Sequence, residues 1–96
     1  AIMFLVVPIG EEMIKDAIKI STKLRKTFRC EVDLLRRKLK NALSHANTNK
    51  IPYVVIVGED ELKRGHVLIK DMKTAEQNEV NIESLGQYIK KILNFT

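Results

Sequence analysis

The sequence contains one cysteine, two histidines and no tryptophan among its 96 residues. A single cysteine, Cys30, cannot form an internal disulfide, which is typical of proteins kept in a reducing compartment. The four glycines form neither a G-x-G-x-x-G pattern nor a G-K-[ST] pattern, so the common phosphate-binding loops are missing. Because cysteine and histidine form no cluster, we expect no catalytic residues, no metal site and no cofactor site in this domain.

Long hydrophobic runs are also missing, since none approaches the ~20 residues that a membrane-spanning helix needs. The longest run, from Ala1 to Ile9, has no basic region before it, so we expect neither a membrane anchor nor a signal peptide. Hydrophobic residues make up 45% of the chain and are spread along it, which excludes a disordered protein. We expect one domain over residues 1–96, no membrane partner, and a cytoplasmic location with an organelle as the alternative.

The positive charge is concentrated in the first half of the chain. Residues 1–50 contain 11 Lys and Arg against 5 Asp and Glu, whereas residues 51–96 contain 6 against 7. A basic half joined to a nearly neutral half indicates a surface that attracts a polyanion, and nucleic-acid phosphates are the commonest such partner. Ordinary solvation of helix surfaces explains the charge alone equally well.

Hydrophobic spacing predicts strands and helices in alternation. Strands are predicted over residues 2–8, 28–33, 53–57, 67–69 and 78–82, from runs of β-branched and aromatic side chains. Helices are predicted from residue 11 to beyond residue 24, over residues 34–47 and over residues 83–93. The predicted buried stripe of the second helix consists of Leu35, Leu39, Ala42, Leu43 and Ala46. Basic residues on the other sides of the first two helices are expected to meet phosphates.

This order of elements predicts the topology of the sheet. Short loops between alternating strands and helices favour parallel pairing through right-handed crossovers. The connection between the third and fourth strands is too short for a crossover helix, so the fourth strand is expected to run antiparallel. The predicted fold is an α/β domain in three layers, with three helices and a mixed five-stranded sheet that is mostly parallel.

Several residues that could carry chemistry have simpler explanations. A tight turn or a helix cap explains Gly10 better than a nucleotide loop does. His45 and His66 have no partner at a readable spacing for metal or nucleophilic chemistry, so we expect both on the solvated surface. The three acids at residues 59–61 lack a second catalytic group. Cys30, in a predicted strand, is expected to be a small buried hydrophobic residue.

Glu61 and Lys70 point to a more specific function. Glu61 follows the carboxyl end of the central strand, where open α/β sheets bind ligands, and Lys70 ends the next strand. At neighbouring strand ends, a carboxylate and an ammonium group could read the Watson–Crick edges of unstacked RNA bases. The simpler alternative is an ion pair between the two strands.

The motifs of residues 51–77 resemble a known family. They are Gly58-Glu-Asp-Glu-Leu62, then Gly65, then Val67-Leu-Ile-Lys70-Asp-Met72, then Thr74-Ala-Glu-Gln77. The pattern is similar to the anticodon-binding domain of class II aminoacyl-tRNA synthetases, and most similar to the histidyl type. Weaker matches upstream extend the resemblance over nearly the whole chain: Val6-Val-Pro-Ile-Gly10, Leu24-Arg25, Leu39-Lys40 and Ala46-Asn47.

Two departures from the family pattern stand out. Ala75 occupies a position in the Thr-x-Glu-Gln turn where glycine is usual, so we expect a different backbone there. Lys26-Thr27-Phe28 replaces the aliphatic or glycine-bearing pair that often precedes the second strand. Threonyl enzymes tend to carry arginine where this chain has Lys70, which favours the histidyl type.

The resemblance implies a fold of five mixed strands with three helices and a role in binding the anticodon stem and loop of tRNA. It implies that Glu61 and Lys70 read bases, and that Gln77, Lys40 and the turn at Gly10-Glu11 take part in RNA binding. To these we add Arg36, Arg37 and Lys38 as phosphate contacts from the second helix.

The resemblance also implies a larger parent enzyme, a homodimer whose catalytic domain uses ATP with magnesium to charge tRNA. None of the class II catalytic motifs can be placed in these residues, and the sequence begins directly in a predicted strand. We therefore expect a non-catalytic part of a larger synthetase. The alternatives are the same domain of a threonyl, prolyl or glycyl enzyme, and an accessory module that mediates protein–protein contacts.

Overall fold

The computed structural model describes residues 1–94 and contains five strands and four α-helices. The strands are β1 (Phe4–Pro8), β2 (Cys30–Val32), β3 (Tyr53–Val57), β4 (His66–Asp71) and β5 (Gln77–Asn81). The helices are α1 (Ile14–Leu24), α2 (Leu39–Thr48), α3 (Glu59–Lys63) and α4 (Leu85–Ile92), and one turn of 3-10 helix precedes both α1 and α4. None of the helices within these 94 residues is long and apolar enough to cross a lipid bilayer.

The five strands form one mixed sheet in the order β2-β1-β3-β4-β5. β1 is parallel to β2 and β3, whereas β4 is antiparallel to both of its neighbours. Four strands therefore share one direction, which confirms the predicted mixed sheet with an antiparallel fourth strand. The three longer helices were predicted, but the short α3 was not. The connection from β3 to β4 has room for α3 because antiparallel neighbours need only a short link and no crossover helix.

Two hydrophobic clusters cover the two faces of the sheet. On one face, α1 and α4 pack against the strands through Ala17, Ile20, Leu24, Leu85 and Ile89. On the other face, α2 packs over β1 and β3 through Ala42 and Ala46. Cys30 is buried in the first cluster, as predicted, and burial raises the pKa of its thiol to about 11. The predicted three-layer arrangement is therefore confirmed.

The second helix begins five residues later than predicted. The Asp33 side chain accepts a hydrogen bond from the Leu35 N–H at 3.1 Å, which closes a local turn. Arg36 then adopts a φ of 55°, a left-handed conformation that an α-helix cannot contain. Placing Leu35 in the buried stripe was therefore wrong, since 70% of Leu35 is exposed.

The turn between β4 and β5 fixes Ala75 in an unusual backbone conformation. Asp71 Oδ1 accepts hydrogen bonds from the N–H groups of Lys73 and Thr74, at 2.8 and 3.2 Å. The Ala75 N–H donates to the Asp71 carbonyl oxygen at 2.8 Å. Ala75 has a φ of 65°, which glycine adopts more easily than any residue with a Cβ.

Replacing Ala75 with glycine is expected to stabilise the protein. Ala75→Gly relieves the left-handed strain, and the gain exceeds the added chain entropy by about 0.5 kcal/mol. Ala75→Val is the opposite test, because a β-branched side chain adds strain at the same position. Urea unfolding of the three proteins measures the order, and an Ala75→Gly variant less stable than the wild type would contradict the assigned conformation.

Candidate nucleic-acid interface

The sheet changes its winding direction between β1 and β3. The chain leaves β1 toward β2, on one side, whereas it leaves β3 toward β4, on the other side. Crevices at the carboxyl ends of such strand pairs are the usual ligand sites of open α/β sheets. A depression of about 770 Å³ lies at this position, and its lining includes Gly10, Lys38, Leu39, Gly58 and Glu61.

A second depression, of about 600 Å³, continues along the same face of the sheet. It lies between α2 and β4 and is lined by residues that include Leu39, Lys40, Leu43, Lys70 and Met72. Leu39 lines both depressions. We call the two together the α2 groove, because α2 forms one wall and β4 forms the floor.

Lys70 lies in the floor at one end of the α2 groove. In the strand register Lys70 is opposite Val54 on β3 and Gln77 on β5, so the Lys70 and Gln77 side chains share a face. Lys40 lines the wall of the same depression. The structure therefore brings together Lys40, Lys70 and Gln77, three of the predicted RNA-binding residues.

Glu61 lies at the other end of the groove, which differs from the expected placement at neighbouring strand ends. Because β4 runs antiparallel to β3, its last residues lie beside the first residues of β3, and Asp71 is opposite Tyr53. Glu61 follows the far end of β3. The alternative of a Glu61–Lys70 ion pair is not realised either, since Glu61 pairs with Arg64 at 3.7 Å.

The remaining predicted residues surround the Glu61 end of the groove, but not from a helix. Arg36 and Arg37 lie in the loop before α2, and Lys38 is the N-cap residue of that helix. Their predicted placement on the helix was therefore wrong, because the left-handed conformation of Arg36 delays the start of α2. Arg36 Nη2 donates to Glu11 Oε1 at 2.8 Å, and both side chains are about two-thirds exposed.

Arg37 has a different partner. Its Nη1 lies 3.5 Å from Asp33 Oδ1, whose side chain is only 2% exposed, while 26% of the Arg37 side chain is exposed. Asp33 Oδ2 has no hydrogen-bond partner within residues 1–94. An exposed ion pair contributes little to stability, whereas a buried carboxylate depends on its cation. Arg36 can therefore exchange Glu11 for another anion at little cost, whereas Arg37 stays paired with Asp33.

α1 and α2 lie on opposite faces of the sheet, so their basic residues do not share one face. The exposed lysines of α1 (Lys15, Lys19 and Lys23), and Lys26 just after the helix, do not line the α2 groove. The charge excess of the first half is thus divided between two faces of the domain. Only the part that precedes and begins α2 lies at the groove.

Arg64, His66 and Glu79 form a charged network beside Glu61 that the sequence did not predict. Arg64 donates to both carboxylate oxygens of Glu79, at 2.9 and 3.1 Å, and His66 Nδ1 lies 2.5 Å from Glu79 Oε2. Hydrogen bonds from Arg64, and secondly from His66, lower the pKa of Glu79 to about 2. No sequence spacing reports this contact, because it depends on the pairing of β4 with β5. His66 is thus tied into a network, although we expected it merely solvated.

The network predicts how stability depends on pH. Since the pKa of Glu79 is lower in the folded chain than the ordinary 4.5, ionised Glu79 stabilises the fold above that value and loses this effect as pH falls toward 2. Wild-type stability should therefore fall more steeply than that of Glu79→Gln between about pH 5 and about pH 3. Urea unfolding at several pH values measures both slopes, and parallel curves would contradict the assignment.

The second histidine, His45, has partners of its own. His45 contacts Glu31 at 3.4 Å and Asn49 at 3.1 Å, on the surface of α2. Within residues 1–94 no three His, Cys, Asp or Glu residues are grouped so that they could hold a metal ion. The groove thus offers binding groups, which are cations, carboxylates and amides beside apolar side chains.

Comparison with known proteins supports a specific family. A family model described as the anticodon binding domain matches residues 4–92. Histidine–tRNA ligase of Pyrococcus furiosus is 47% identical over 89 residues, which is 92% of this chain and 21% of that protein. The Bacillus cereus histidine–tRNA ligase 1 is 41% identical over 86 residues, or 88% of this chain and 20% of that protein.

Solved structures give the same answer for the fold. Histidyl-tRNA synthetase from Nostoc sp. PCC 7120 has a TM-score of 0.92 and 28% identity, covering 96% of this chain and 22% of that one. The RNA binding domain of threonyl-tRNA synthetase from Cryptosporidium parvum has a TM-score of 0.80 at 19% identity, covering 88% of this chain and 22% of that one, and shows the fold alone. The chain spans about a fifth of the length of the curated relatives it matches.

Proposed function

The chain belongs to the anticodon-binding domain family, and from that premise we propose that it recognises the anticodon stem and loop of tRNA for histidine. The observation that carries the proposal is the α2 groove, which presents Lys40 and Lys70 at one end and Glu61 at the other. Ammonium groups can donate to base carbonyls, and a carboxylate can accept from base amino and imino groups. Single-stranded loops expose these edges, and proteins read RNA sequence mostly there.

Phosphate contacts would come from the loop before α2. Among residues 1–94 the Arg36 side chain pairs with Glu11 alone, and this pair is exposed, so an RNA phosphate can replace the carboxylate at little cost. Lys38 immediately precedes α2 and lines the same depression, together with Arg36 and Arg37. We propose Arg36 and Lys38 as phosphate contacts; Arg37, paired with the buried Asp33, would contribute its charge without leaving that partner. Gln77 would extend the reading surface beside Lys70.

The test is a titration of the 96-residue chain with an anticodon stem-loop. One RNA carries the anticodon that pairs with histidine codons, and control RNAs carry scrambled loops on the same stem. Fluorescence anisotropy at two salt concentrations is expected to show tighter binding of the histidine loop, and Arg36→Ala should flatten the salt dependence by about one unit of slope for every RNA. Equal affinity for all loops would refute sequence recognition.

The parent protein follows from the same proposal. Relatives named histidine–tRNA ligase are about five times longer than this chain, which holds the part that matches the anticodon binding domain. We propose that the parent charges tRNA with histidine, using ATP and magnesium in a separate catalytic domain, and acts as a homodimer in the cytoplasm. Preference for a threonine, proline or glycine anticodon in the titration would select the alternative synthetases. Failure to bind any RNA would favour the accessory protein-binding module.

A further inference from the structure

We propose that Arg64, clamped by Glu79, positions the Glu61 carboxylate for reading a base, so that Arg64 and Glu79 set loop specificity without contacting RNA. The inference rests on the proposed function, since it concerns the same groove. Base reading was predicted for Glu61 and Lys70, whereas no role was predicted for Arg64 or Glu79.

The two carboxylate oxygens of Glu61 have different neighbours. Oε2 lies 3.7 Å from Arg64 Nη2, too far for a hydrogen bond but close enough for electrostatic attraction. Oε1 lies against Gly58, so closely that a Cβ added at Gly58 would collide with it. The Glu61 side chain is 24% exposed. The carboxylate thus lies between the end of β3 and Arg64, while about a quarter of the Glu61 side chain is exposed.

Arg64 is itself fixed from the neighbouring strand. Glu79 accepts two parallel hydrogen bonds from the guanidinium group, at 2.9 and 3.1 Å, the geometry that holds arginine most firmly in one plane. Both groups of this clamp are charged at neutral pH, and the pKa of Glu79, lowered to about 2, keeps its carboxylate ionised well into the acid range. A fixed guanidinium attracts Glu61 toward one position, whereas a mobile one would not.

The backbone explains why these side chains meet. Glu79 is opposite Leu68 in the register of β4 and β5, and Leu68 lines the α2 groove, so Glu79 projects on the groove side. Gly65, with a φ of 75°, turns the chain sharply between α3 and β4 and leaves Arg64 beside the strand edge. The positions of Arg64 and Glu79 thus follow from the sheet and hold independently of RNA.

Gly58 provides a test that changes no charge. It has a φ of −111° and a ψ of 155°, an extended conformation that alanine also adopts. In Gly58→Ala the new methyl group displaces only the flexible end of Glu61. If positioning matters, Gly58→Ala and Arg64→Ala should have the same effect on specificity although only one of them alters the electrostatic field.

The experiment measures the ratio of the dissociation constants for scrambled and histidine-anticodon stem-loops, at two salt concentrations. The variants are Glu61→Ala, Arg64→Ala, Glu79→Gln and Gly58→Ala, with Arg29→Ala as an exposed arginine control away from the groove. We expect the ratio to fall about fivefold or more in the four groove variants, because one base contact is worth at least that factor. Salt dependence should stay close to that of the wild type, and Arg29→Ala should keep the ratio.

Each other outcome has a definite meaning. If Glu61→Ala keeps the ratio, base reading by Glu61 is wrong and the proposed function loses that residue. If Glu61→Ala lowers the ratio while Arg64→Ala and Gly58→Ala keep it, only the positioning role is overturned. If Arg64→Ala weakens all stem-loops equally and flattens the salt dependence, Arg64 is a phosphate contact, which also overturns the inference.

Discussion

Arg37→Ala is expected to lower the free energy of unfolding by about 3 kcal/mol, since it leaves a buried carboxylate without its cation. The Asp33 side chain is 2% exposed, and within residues 1–94 the Leu35 N–H is the one hydrogen-bond donor that it keeps once Arg37 is removed. The same residue pair also fixes the loop that carries Arg36 and Lys38 to the groove. Urea unfolding followed by circular dichroism measures the loss.

Two further variants distinguish the loss of the Arg37–Asp33 ion pair from the general effect of removing a positive charge. Arg36→Ala removes a neighbouring arginine whose ion pair with Glu11 is exposed, so it should cost no more than about 0.5 kcal/mol. Adding Asp33→Asn to Arg37→Ala removes the stranded charge while an amide oxygen can still accept from Leu35, so much of the stability should return. If Arg37→Ala and Arg36→Ala cost the same, Arg37 does not stabilise Asp33.

Lys70→Ala is expected to weaken binding of the histidine-anticodon stem-loop about tenfold. A charge-assisted hydrogen bond to a base contributes about 1.5–3 kcal/mol, and 1.4 kcal/mol corresponds to a factor of ten. Lys70 is half-buried in the groove floor and has no ion-pair partner among residues 1–94, so its ammonium group is available to a ligand. Fluorescence anisotropy measures the change.

The loops that Lys70→Ala affects distinguish base reading from charge attraction. Scrambled loops should lose much less affinity, because they lack the base that we propose Lys70 reads. Lys90→Ala, an exposed lysine on α4 and therefore on the opposite face, is the matched control and should leave both affinities nearly unchanged. An equal loss for every loop would make Lys70 a phosphate contact, and no loss would exclude it from the interface.

The fold could be predicted because its main determinants are local in the sequence. Runs such as Val54 to Val57 are buried in the central strands, and the helical stripes of α1 and α4 lie against the sheet as their spacing indicates. The start of α2 could not be predicted from spacing alone. Leu34 and Leu35 continue the helical spacing of apolar residues. However, the Asp33 side chain closes a turn and Arg36 adopts a left-handed conformation, so the helix begins after them.

The site could be predicted only in part. Glu61 and Lys70 were predicted at neighbouring strand ends, but they lie at opposite ends of the α2 groove. This separation follows from the antiparallel β4, which the sequence already predicted. The clamp of Arg64 by Glu79 joins residues 15 apart through the β4–β5 register. Such a contact has no periodic signal, because only the register and the turn at Gly65 bring the two side chains together.

We propose that RNA binds the α2 groove and not the face of α1 and α4. The most direct measurement is the change in amide NMR chemical shifts of the 96-residue chain on adding the histidine-anticodon stem-loop. We expect the changes in the loop before α2, at Gly58 to Glu61, and around Lys70 and Gln77, with α1 and α4 nearly unaffected. Changes centred on the lysines of α1, with the groove residues unaffected, would contradict the account.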